Sequence, residues 1–256
     1  MKDSTKRFSD RVDAYVRYRP GYPPELLEFM QSEGLLTPGT AVADIGAGTG
    51  IFTRLLVGAG ASVYAVEPNA PMRAALEASL TANEPLITIE GTAEATGLGD
   101  ASVDLVTAAQ AFHWFDPAGA KAEFRRIARP HATAALIWNE RQVSTPFLRD
   151  YDQLITEFAI DYQRVDHRLI TPEKIAEFFA PAAVYTHTFT LRQHFDLAGL
   201  RGRLLSSSYI PQNDTQGRFR EMIDALSGLF SRYHQNGVVT LDYVTRLYHG
   251  RVHAEV

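Results

Sequence analysis

One segment decides the fold of this chain, Asp44-Ile45-Gly46-Ala47-Gly48-Thr49-Gly50. It follows the short apolar run Ala41–Ile45 and precedes a stretch with helical character, Ile51–Ala59. Three alternating glycines at such a junction let the backbone turn tightly and let a ligand approach closer than side chains would permit. The segment therefore predicts a strand-to-helix turn that binds a nucleotide-like ligand.

An acidic residue lies at the spacing that nucleoside binding requires. Glu67 ends the next apolar run, Ser62–Val66, and lies about 20 residues after the first glycine. A carboxylate at this position can accept hydrogen bonds from both hydroxyls of a ribose. The simpler interpretation, a strand-to-helix turn without a ligand, leaves this spaced acid unexplained.

Two details favour S-adenosylmethionine (SAM) over a nicotinamide dinucleotide as the ligand. The dinucleotide fingerprint is G-x-G-x-x-G, whereas the third glycine here, Gly50, comes one position early. The segment also begins with Asp44, whose carboxylate would repel a pyrophosphate but attract the ammonium and sulfonium of SAM. A NAD(P)-dependent oxidoreductase is therefore the disfavoured alternative.

Apolar runs and helical segments alternate along residues 41–139, which indicates an α/β fold. Repeated β-then-α units of this length imply a parallel sheet covered on both faces. Two later segments, Val184–Leu191 and Val238–Tyr248, alternate as strands do, and the second suits the edge region of the sheet. Helices are expected at Thr145–Ala159 and Pro172–Phe179, where they would form part of a lid.

The composition is that of a globular protein and excludes several functions. The 256 residues carry a formal net charge of −5 and contain no Cys, which rules out disulfides and thiolate metal sites. The histidines lack ligand spacing, so no metal is predicted. The acidic balance, without a Lys/Arg cluster, disfavours a nucleic-acid partner. No signal peptide or apolar span is readable, so we expect a cytoplasmic location and no membrane partner.

The chain resembles class I SAM-dependent methyltransferases. The matching segments are Val42–Thr53, Ala65-Val66-Glu67-Pro68-Asn69, Gly91-Thr92-Ala93-Glu94 and Gln110-Ala111-Phe112-His113-Trp114-Phe115. Within that class it is similar to the small-molecule methyltransferase type 11 proteins, including trans-aconitate-methyltransferase-like members. That narrower similarity lies in Phe8, Ala14-Tyr15, Arg19-Pro20-Gly21-Tyr22-Pro23 and Trp138-Asn139-Glu140-Arg141.

The resemblance implies a Rossmann-like, mostly parallel seven-stranded sheet with helices on both faces and a helical lid. It also implies one methyltransferase domain spanning residues 1–256, as a monomer or a homodimer. We expect four parts: an N-terminal cover (1–30), a SAM-binding core (31–140), a helical lid (141–181), and C-terminal strands and helices (182–256).

The resemblance assigns the cofactor site residue by residue. Gly46, Ala47, Gly48 and Gly50 would surround the methionine half of SAM, with Asp44 supporting the loop and Glu67 holding the ribose. Pro68 and Met72 would lie against the adenine, Thr92, Ala93 and Glu94 at its polar edge, and Gln110 and Ala111 beside the methionyl part. Many relatives have Asp where Thr92 stands, so adenine recognition here is expected to use backbone atoms or Glu94.

The acceptor is expected to be a small molecule methylated at a carboxylate or hydroxyl oxygen. Catalytic candidates are Arg19, which can clamp a carboxylate, Tyr15, and His113, either as a base or as a positioning residue. Further pocket candidates are Tyr18, Trp114, Trp138, Asn139, Arg141 and Tyr209. The remaining alternatives are N- or C-methylation, methylation of nucleic acid, and SAM binding without catalysis.

Overall fold

The computed structural model describes residues 12–81, 84–160, 170–215 and 217–253. Phe8, the start of the predicted cover and residues 161–169 of the predicted lid lie outside the described residues. The strands are β1 (Ala41–Ile45), β2 (Ser62–Val66), β3 (Leu86–Ile89), β4 (Val103–Ala109), β5 (Ala128–Arg141), β6 (Val184–Phe195) and β7 (Val239–Arg251). The helices are α1 (Val12–Tyr18), α2 (Pro24–Ser32), α3 (Thr53–Gly58), α4 (Ala70–Ala78), α5 (Pro117–Ile127), α6 (Pro146–Phe158), α7 (Pro172–Phe179), α8 (Leu197–Leu205) and α9 (Phe219–Tyr233), and a 3-10 turn covers Phe112–Trp114.

The seven strands form one sheet in the order β3-β2-β1-β4-β5-β7-β6. Strands β1 to β5 pair in parallel, whereas β7 runs antiparallel to both β5 and β6. The predicted Rossmann-like, mostly parallel sheet is confirmed. The strand order reverses at β1, and in such sheets a crevice opens there beyond the carboxyl ends of the strands.

The position of the last strand corrects the sequence-based expectation. The segment Val238–Tyr248 was expected in the edge region, but β7 is paired on both sides and β6 is the edge strand. The reason is the length of β5, which continues past Trp138 to Arg141 and pairs with β7 from Thr133 onward. The two-faced pattern of β7 therefore reflects burial that differs between its faces, not an unpaired edge.

Helices cover both faces of the parallel part of the sheet, as predicted. On one face, Leu26 of α2 and Leu56 of α3 belong to a buried cluster with Val42 of β1. On the other face, Phe124 of α5 and Phe178 of α7 belong to a cluster with the adjacent β1 residue, Ala43. Successive side chains of β1 thus point to opposite faces, which is why this strand is apolar throughout.

A third apolar cluster lies over the antiparallel end of the sheet. It joins Leu148 of α6, Leu204 of α8 and Leu226 of α9 to Leu241 of β7. The segment predicted as a lid is therefore divided, because α6 belongs to this third cluster while α7 packs on the main core. None of the helices described is long and apolar enough to cross a membrane.

The N-terminal helix α1 packs closely on α8 at a glycine. A Cβ added at Gly202 would lie 2.2 Å from the Tyr18 ring, which is shorter than any van der Waals contact. Glycine is otherwise unfavourable inside a helix because it has more conformational freedom to lose. The close approach of α1 explains its presence at this position.

We predict opposite effects of the same substitution at two helical glycines. Gly202→Ala should destabilise the protein by about 1–3 kcal/mol, because the Tyr18 ring must move. Gly228→Ala in α9 should stabilise it by about 0.5–1 kcal/mol, because a Cβ there meets no atom within 4 Å. Urea unfolding of both variants tests this. Equal effects at the two positions would contradict the packing of α1 on α8.

Candidate functional site

A cavity opens where β1, β2 and β4 end at the reversal of the strand order. It is covered on the other side by the chain that follows α1, at Arg19, Pro20 and Tyr22. The predicted site residues that line it are Tyr15, Arg19, Asp44, Gly46, Ala47, Gly48, Glu67, Pro68, Met72, Thr92, Ala93, Glu94, Gln110 and Ala111. Of the predicted cofactor-site and catalytic residues, Gly50 and His113 are not among the residues of its wall. Of the further pocket candidates, Trp114 lines it, whereas Tyr18, Trp138, Asn139, Arg141 and Tyr209 do not.

The three glycines of the turn have different roles. All three have left-handed backbone conformations, with φ of +71° at Gly46, +59° at Gly48 and +80° at Gly50. A Cβ at Gly46 would lie 2.6 Å from the Cβ of Ala111, and one at Gly50 would lie 2.2 Å from Cδ1 of Leu76. Gly46 and Gly50 are therefore required by packing, and Gly50 lies against α4 instead of in the cavity.

Gly48 is the glycine that faces open space. The nearest heavy atom to a Cβ added there is Cε of Met72, at 3.9 Å. Within the described part of the chain no atom lies closer than this, although a side chain at Gly48 would project into the cavity. The residues present therefore fit a ligand that contacts the backbone at Gly48, as the sequence predicts for the methionine half of SAM.

Glu67 joins the end of β2 to the glycine turn. Its Oε2 accepts a hydrogen bond from the Gly48 amide at 2.8 Å, and its Oε1 accepts one from the Asn69 amide at 2.8 Å. Burial raises the pKa of Glu67, although these two bonds and nearby Arg73 act in the opposite direction. A carboxylate offers about four lone-pair sites, so two remain for hydroxyl donors such as those of a ribose.

Asp44 lies beneath the turn and is held by two hydroxyl groups. Oδ2 accepts from Thr53 at 2.6 Å and Oδ1 accepts from Thr107 at 2.8 Å, so one carboxylate links β1, α3 and β4. Burial raises its pKa to about 6, against the effect of both hydrogen bonds. Asp44 therefore places a negative charge below the turn while its own oxygens are already bonded.

The far end of the cavity is formed by the loops after β2 and β3. Asn69 caps α4 by accepting a hydrogen bond from the Met72 amide at 3.0 Å. The Glu94 carboxylate accepts from the Asp116 amide at 2.8 Å, so it fixes the start of α5 beside the cavity. Met72 is only 4% exposed and belongs to the core as well as to the cavity wall.

The loop after β4 contains a strained residue. Gln110 has φ +59°, a conformation that non-glycine residues rarely adopt, and its side chain donates to the Asn139 carbonyl at 3.3 Å. Such strain is concentrated at binding and catalytic sites. Neighbouring Ala111 is buried against Gly46, so this loop and the glycine turn lie in direct contact.

His113 does not line the cavity, unlike its neighbours Trp114 and Phe115. Its Nδ1 accepts a hydrogen bond from Nε1 of Trp138 at 3.5 Å, and its ring packs against that of Trp114 at 4.8 Å. A histidine that accepts through Nδ1 carries its proton on Nε2 when neutral. This geometry favours a positioning role for His113.

Asn139 and Arg141, both predicted pocket residues, make structural contacts. The Asn139 amide donates to the Gly21 carbonyl at 2.8 Å and accepts from the Thr245 hydroxyl at 2.6 Å. Arg141 forms an ion pair with Asp152 of α6. Asn139 thereby fastens the N-terminal cover to the sheet, and Arg141 fastens α6 to the end of β5.

Sequence reasoning missed a buried arginine next to the predicted site. Arg203 of α8 is 5% exposed, and its Nε donates to the Tyr243 hydroxyl at 3.1 Å. Its Nη1 lies 3.3 Å from Oγ of Ser206, while Nη2 of Arg19 donates to the carbonyl of the same serine at 3.1 Å. Nothing in the local pattern of α8 indicates this contact, because it depends on how α1 packs on α8.

Comparison with known proteins gives matches along nearly the whole chain. Residues 43–136 match the family model described as a methyltransferase domain. An uncharacterised methyltransferase of Mycobacterium tuberculosis (strain H37Rv) is 34% identical over 244 residues, which is 95% of each chain. Another, from Schizosaccharomyces pombe, is 32% identical over 151 residues, or 59% of each chain.

Two solved structures illustrate the likeness of the fold. A protein from Anaeromyxobacter dehalogenans described as a type II methyltransferase superposes with a TM-score of 0.67 at 24% identity, over 93% of this chain and 100% of that one. Haemonchus contortus phosphoethanolamine N-methyltransferase 2, solved with phosphomonomethylethanolamine and S-adenosylhomocysteine, gives a TM-score of 0.56 at 15% identity, over 95% of this chain and 57% of that one. These matches leave the trans-aconitate-like subgroup as a prediction.

We predict that Glu67→Gln weakens the binding of S-adenosylhomocysteine (SAH) by about 1.5–3 kcal/mol, the scale of hydrogen bonds to a charged acceptor. The amide nitrogen of Gln would also face a backbone N–H of the turn. Isothermal titration calorimetry measures the change. Glu90→Gln is the control. Glu90 follows the next strand, β3, and is an exposed acid that forms an ion pair with Arg73. Wild-type affinity in Glu67→Gln would contradict the role given to this residue.

A second prediction distinguishes two reasons why a side chain at Gly48 would prevent SAH binding, namely backbone strain and occupation of the space that the ligand needs. Gly48→Val and Gly39→Val both place a side chain on a left-handed residue, with φ of +59° and +86°. Both positions offer space for the new atom, so the strain should be similar. We expect SAH binding to be lost only in Gly48→Val. Calorimetry showing equal SAH affinity in the two variants would contradict the cradle at Gly48.

Asp44 should make the free energy of unfolding depend on pH. Its pKa in the folded protein, about 6, lies above the ordinary value of 3.8, so the folded state binds the extra proton between these values. Stability therefore falls as the pH rises from about 4 to about 6. Asp44→Asn removes this pH dependence. The free energy of unfolding of the variant, relative to that of wild type, should therefore rise by up to about 3 kcal/mol as the pH goes from 4 to 8. Urea unfolding at several pH values measures this, and a difference between the two proteins that does not vary with pH would contradict the raised pKa of Asp44.

Proposed function

The chain belongs to the family of SAM-dependent methyltransferases, and on that premise we propose that it methylates a small-molecule acceptor at a carboxylate or hydroxyl oxygen. The observation that carries the proposal is the open space beside Gly48, with Glu67 bonded to the same turn and Arg19 on the other side of the same cavity. One cavity therefore contains both a site suited to a nucleoside and the cationic side chain of Arg19.

The chain's own residues would hold SAM as follows. The backbone at Gly46, Ala47 and Gly48 would contact the methionine half, with the charge of Asp44 beneath it. Glu67 would accept from the ribose hydroxyls through its remaining lone pairs. The adenine end would lie between Pro68, Met72, Thr92, Ala93 and Glu94, and Gln110 and Ala111 would close the methionyl side.

When bound, SAM supplies a methyl group whose carbon–sulfur bond breaks as a lone pair of the acceptor oxygen forms the new carbon–oxygen bond. The protein's part is to align the acceptor and exclude water. Arg19 and Tyr15, which line the cavity, would orient the acceptor, since a guanidinium binds a carboxylate through two parallel hydrogen bonds.

The need for a base depends on the acceptor atom. A carboxylate is already ionised at neutral pH and has no proton to lose. A hydroxyl acceptor would need one, and Tyr209 is our candidate for that base, although it does not line the cavity. Burial alone would raise the pKa of Tyr209, but the charges of Arg141, Arg19 and Arg203 outweigh it and lower the pKa.

N- or C-methylation and SAM binding without catalysis remain the alternative functions. A screen by mass spectrometry, with SAM and a panel of carboxylic acids, phenols and amines, distinguishes them. Products restricted to amines would contradict the proposed oxygen acceptor, and the absence of any product beside demonstrated SAM binding would favour the binding protein. The cytoplasmic location and the monomeric or dimeric state stay predictions from the sequence.

The choice of cofactor gives a direct prediction. SAM and SAH should raise the melting temperature, whereas NADH and NADPH should not, because the turn offers one open glycine above a buried acid. Ligand at 100 times its dissociation constant should add about 2.7 kcal/mol to the free energy of unfolding. Differential scanning fluorimetry measures this, and equal stabilisation by NADH would contradict the cofactor assignment.

Two substitutions distinguish positioning from base catalysis once an acceptor is found. If the acceptor atom is a carboxylate, His113→Ala should reduce the rate only through positioning, whereas loss of a general base costs about 100- to 10,000-fold. Arg19→Lys should be the more damaging change, because an ammonium cannot reproduce the bidentate contact. Rates between pH 5.5 and 9 at saturating SAM provide the measurement. A loss in the general-base range for His113→Ala, with Arg19→Lys near wild type, would point to a phenol or an amine.

A further inference from the structure

Three arginines from distant parts of the chain meet beside the cavity. Arg19 follows α1, Arg141 ends β5, and Arg203 lies in α8. Arg141 pairs with Asp152. Of the carboxylates that the structure describes, none pairs with Arg19 or Arg203. The charges of Arg19 and Arg203 are therefore not offset by any carboxylate among the described residues.

The contacts of these two arginines are with neutral groups. Arg19 donates from Nη2 to the Ser206 carbonyl, and its Nε is buried with no partner among the described residues. Arg203 contacts the hydroxyls of Ser206, Ser207 and Tyr243. Burying a cation without a paired anion is strongly unfavourable. An unfilled donor beside a cavity therefore points to an anionic ligand.

The charges of these arginines also shift the pKa values of neighbouring groups. Burial, and next the charge of Arg203, lowers the pKa of Arg19. The same arginines, with Arg141, lower the pKa of Tyr209 although it is buried. Tyr15 also lines the cavity, and its ring lies 4.8 Å from the Arg19 guanidinium, where it stabilises the cation.

We propose that Arg19 and Arg203 form an anion subsite that holds an acidic group of the acceptor, a group that stays unmethylated. Arg19 makes the contact from the cavity wall, and Arg203, which contacts the hydroxyl of the same serine, supplies the second charge. This inference rests on the proposed function. It names the substrate class as a small acid with two oxygen functions, one that is held and one that reacts.

The held group is distinct from the reacting one for a chemical reason. A carboxylate bound by a guanidinium has lone pairs engaged in hydrogen bonds and its charge offset, so it is a weak nucleophile. The reacting oxygen must keep a lone pair directed at the methyl group. A second carboxylate or a hydroxyl elsewhere on the acceptor meets this requirement.

The carboxylate of SAM is the competing occupant. Arg19 lines the same cavity as the glycine turn, whereas Arg203 is not among the residues that line it. The SAH affinity of the Arg203 variants separates these two occupants.

The test compares acids with their amides in the presence of SAH. Glutarate, tricarballylate and 4-hydroxybenzoate are titrated calorimetrically beside glutaramide, tricarballylamide and 4-hydroxybenzamide. At least one acid should bind the wild-type protein about 10- to 100-fold more tightly than its amide, the range for a hydrogen-bonded charge pair. Arg203→Met should reduce this ratio several-fold, because the Arg19 contact remains but the second charge is lost, and Arg203→Lys should restore part of it.

Matched controls keep the result interpretable. Arg201→Met changes an exposed arginine of the same helix and should leave the acid-to-amide ratio unchanged. SAH affinity should stay within about twofold in Arg203→Met and Arg203→Lys, which shows that both variants fold. If Arg203→Met does not fold, the Lys variant carries the test, because it keeps the charge but loses the planar fork.

Three outcomes would overturn the proposal. These are no preference for any acid, an acid-to-amide ratio that is unchanged in both Arg203 variants, or a loss of SAH affinity that matches the loss of acid binding, which would assign the pair to the cofactor. In the product screen, an acceptor whose single acidic group is methylated would also contradict it. Failure of SAH to bind the wild-type protein would instead contradict the proposed function.

Discussion

The buried carboxylate of Asp44 is the constraint on which the rest of the site depends. It bonds to Thr53 at the start of α3 and to Thr107 of β4, the residue that pairs with it across the parallel strands. A single side chain thus fixes the direction in which the chain leaves β1 and the distance from β1 to β4. The glycine turn lies between these two anchored points. Between Asp44 and Thr53 the chain must therefore turn tightly, and Gly46, Gly48 and Gly50 have left-handed conformations there.

This arrangement has an energetic cost that a cationic ligand can offset. Burial raises the pKa of Asp44 to about 6, so near neutral pH the protein holds an ionised group in a poor environment. A ligand that carries an ammonium and a sulfonium near the turn would stabilise that charge. The same reasoning applies to the buried Glu67, whose raised pKa indicates that its two amide donors do not fully replace water. The site is therefore prepared for a ligand with positive charge at one end and hydroxyl donors at the other.

Local sequence signals predicted the parallel half of the molecule because its contacts follow chain order. The glycine turn and the acid at Glu67 lie within one strand–helix–strand unit, and the structure brings them together as expected. The antiparallel end was predicted less well. The extension of β5 past Trp138 is stabilised by β7, about a hundred residues later in the chain, so no local pattern marks where it ends.

The residues that sequence reasoning missed share a common cause. Arg203 and Gly202 are adjacent in α8, and both meet the segment around α1: Gly202 admits the Tyr18 ring, and Arg203 shares Ser206 with Arg19. The position of Arg19 therefore depends on the packing of Tyr18 against Gly202, which lies one helical turn before Ser206, the residue whose carbonyl Arg19 contacts. The cover is also tied to the sheet through Gly21 and Asn139. Because the cover is fastened on both sides of Arg19, this guanidinium is held in place before any acceptor binds, and less conformational entropy is lost when an anion is bound.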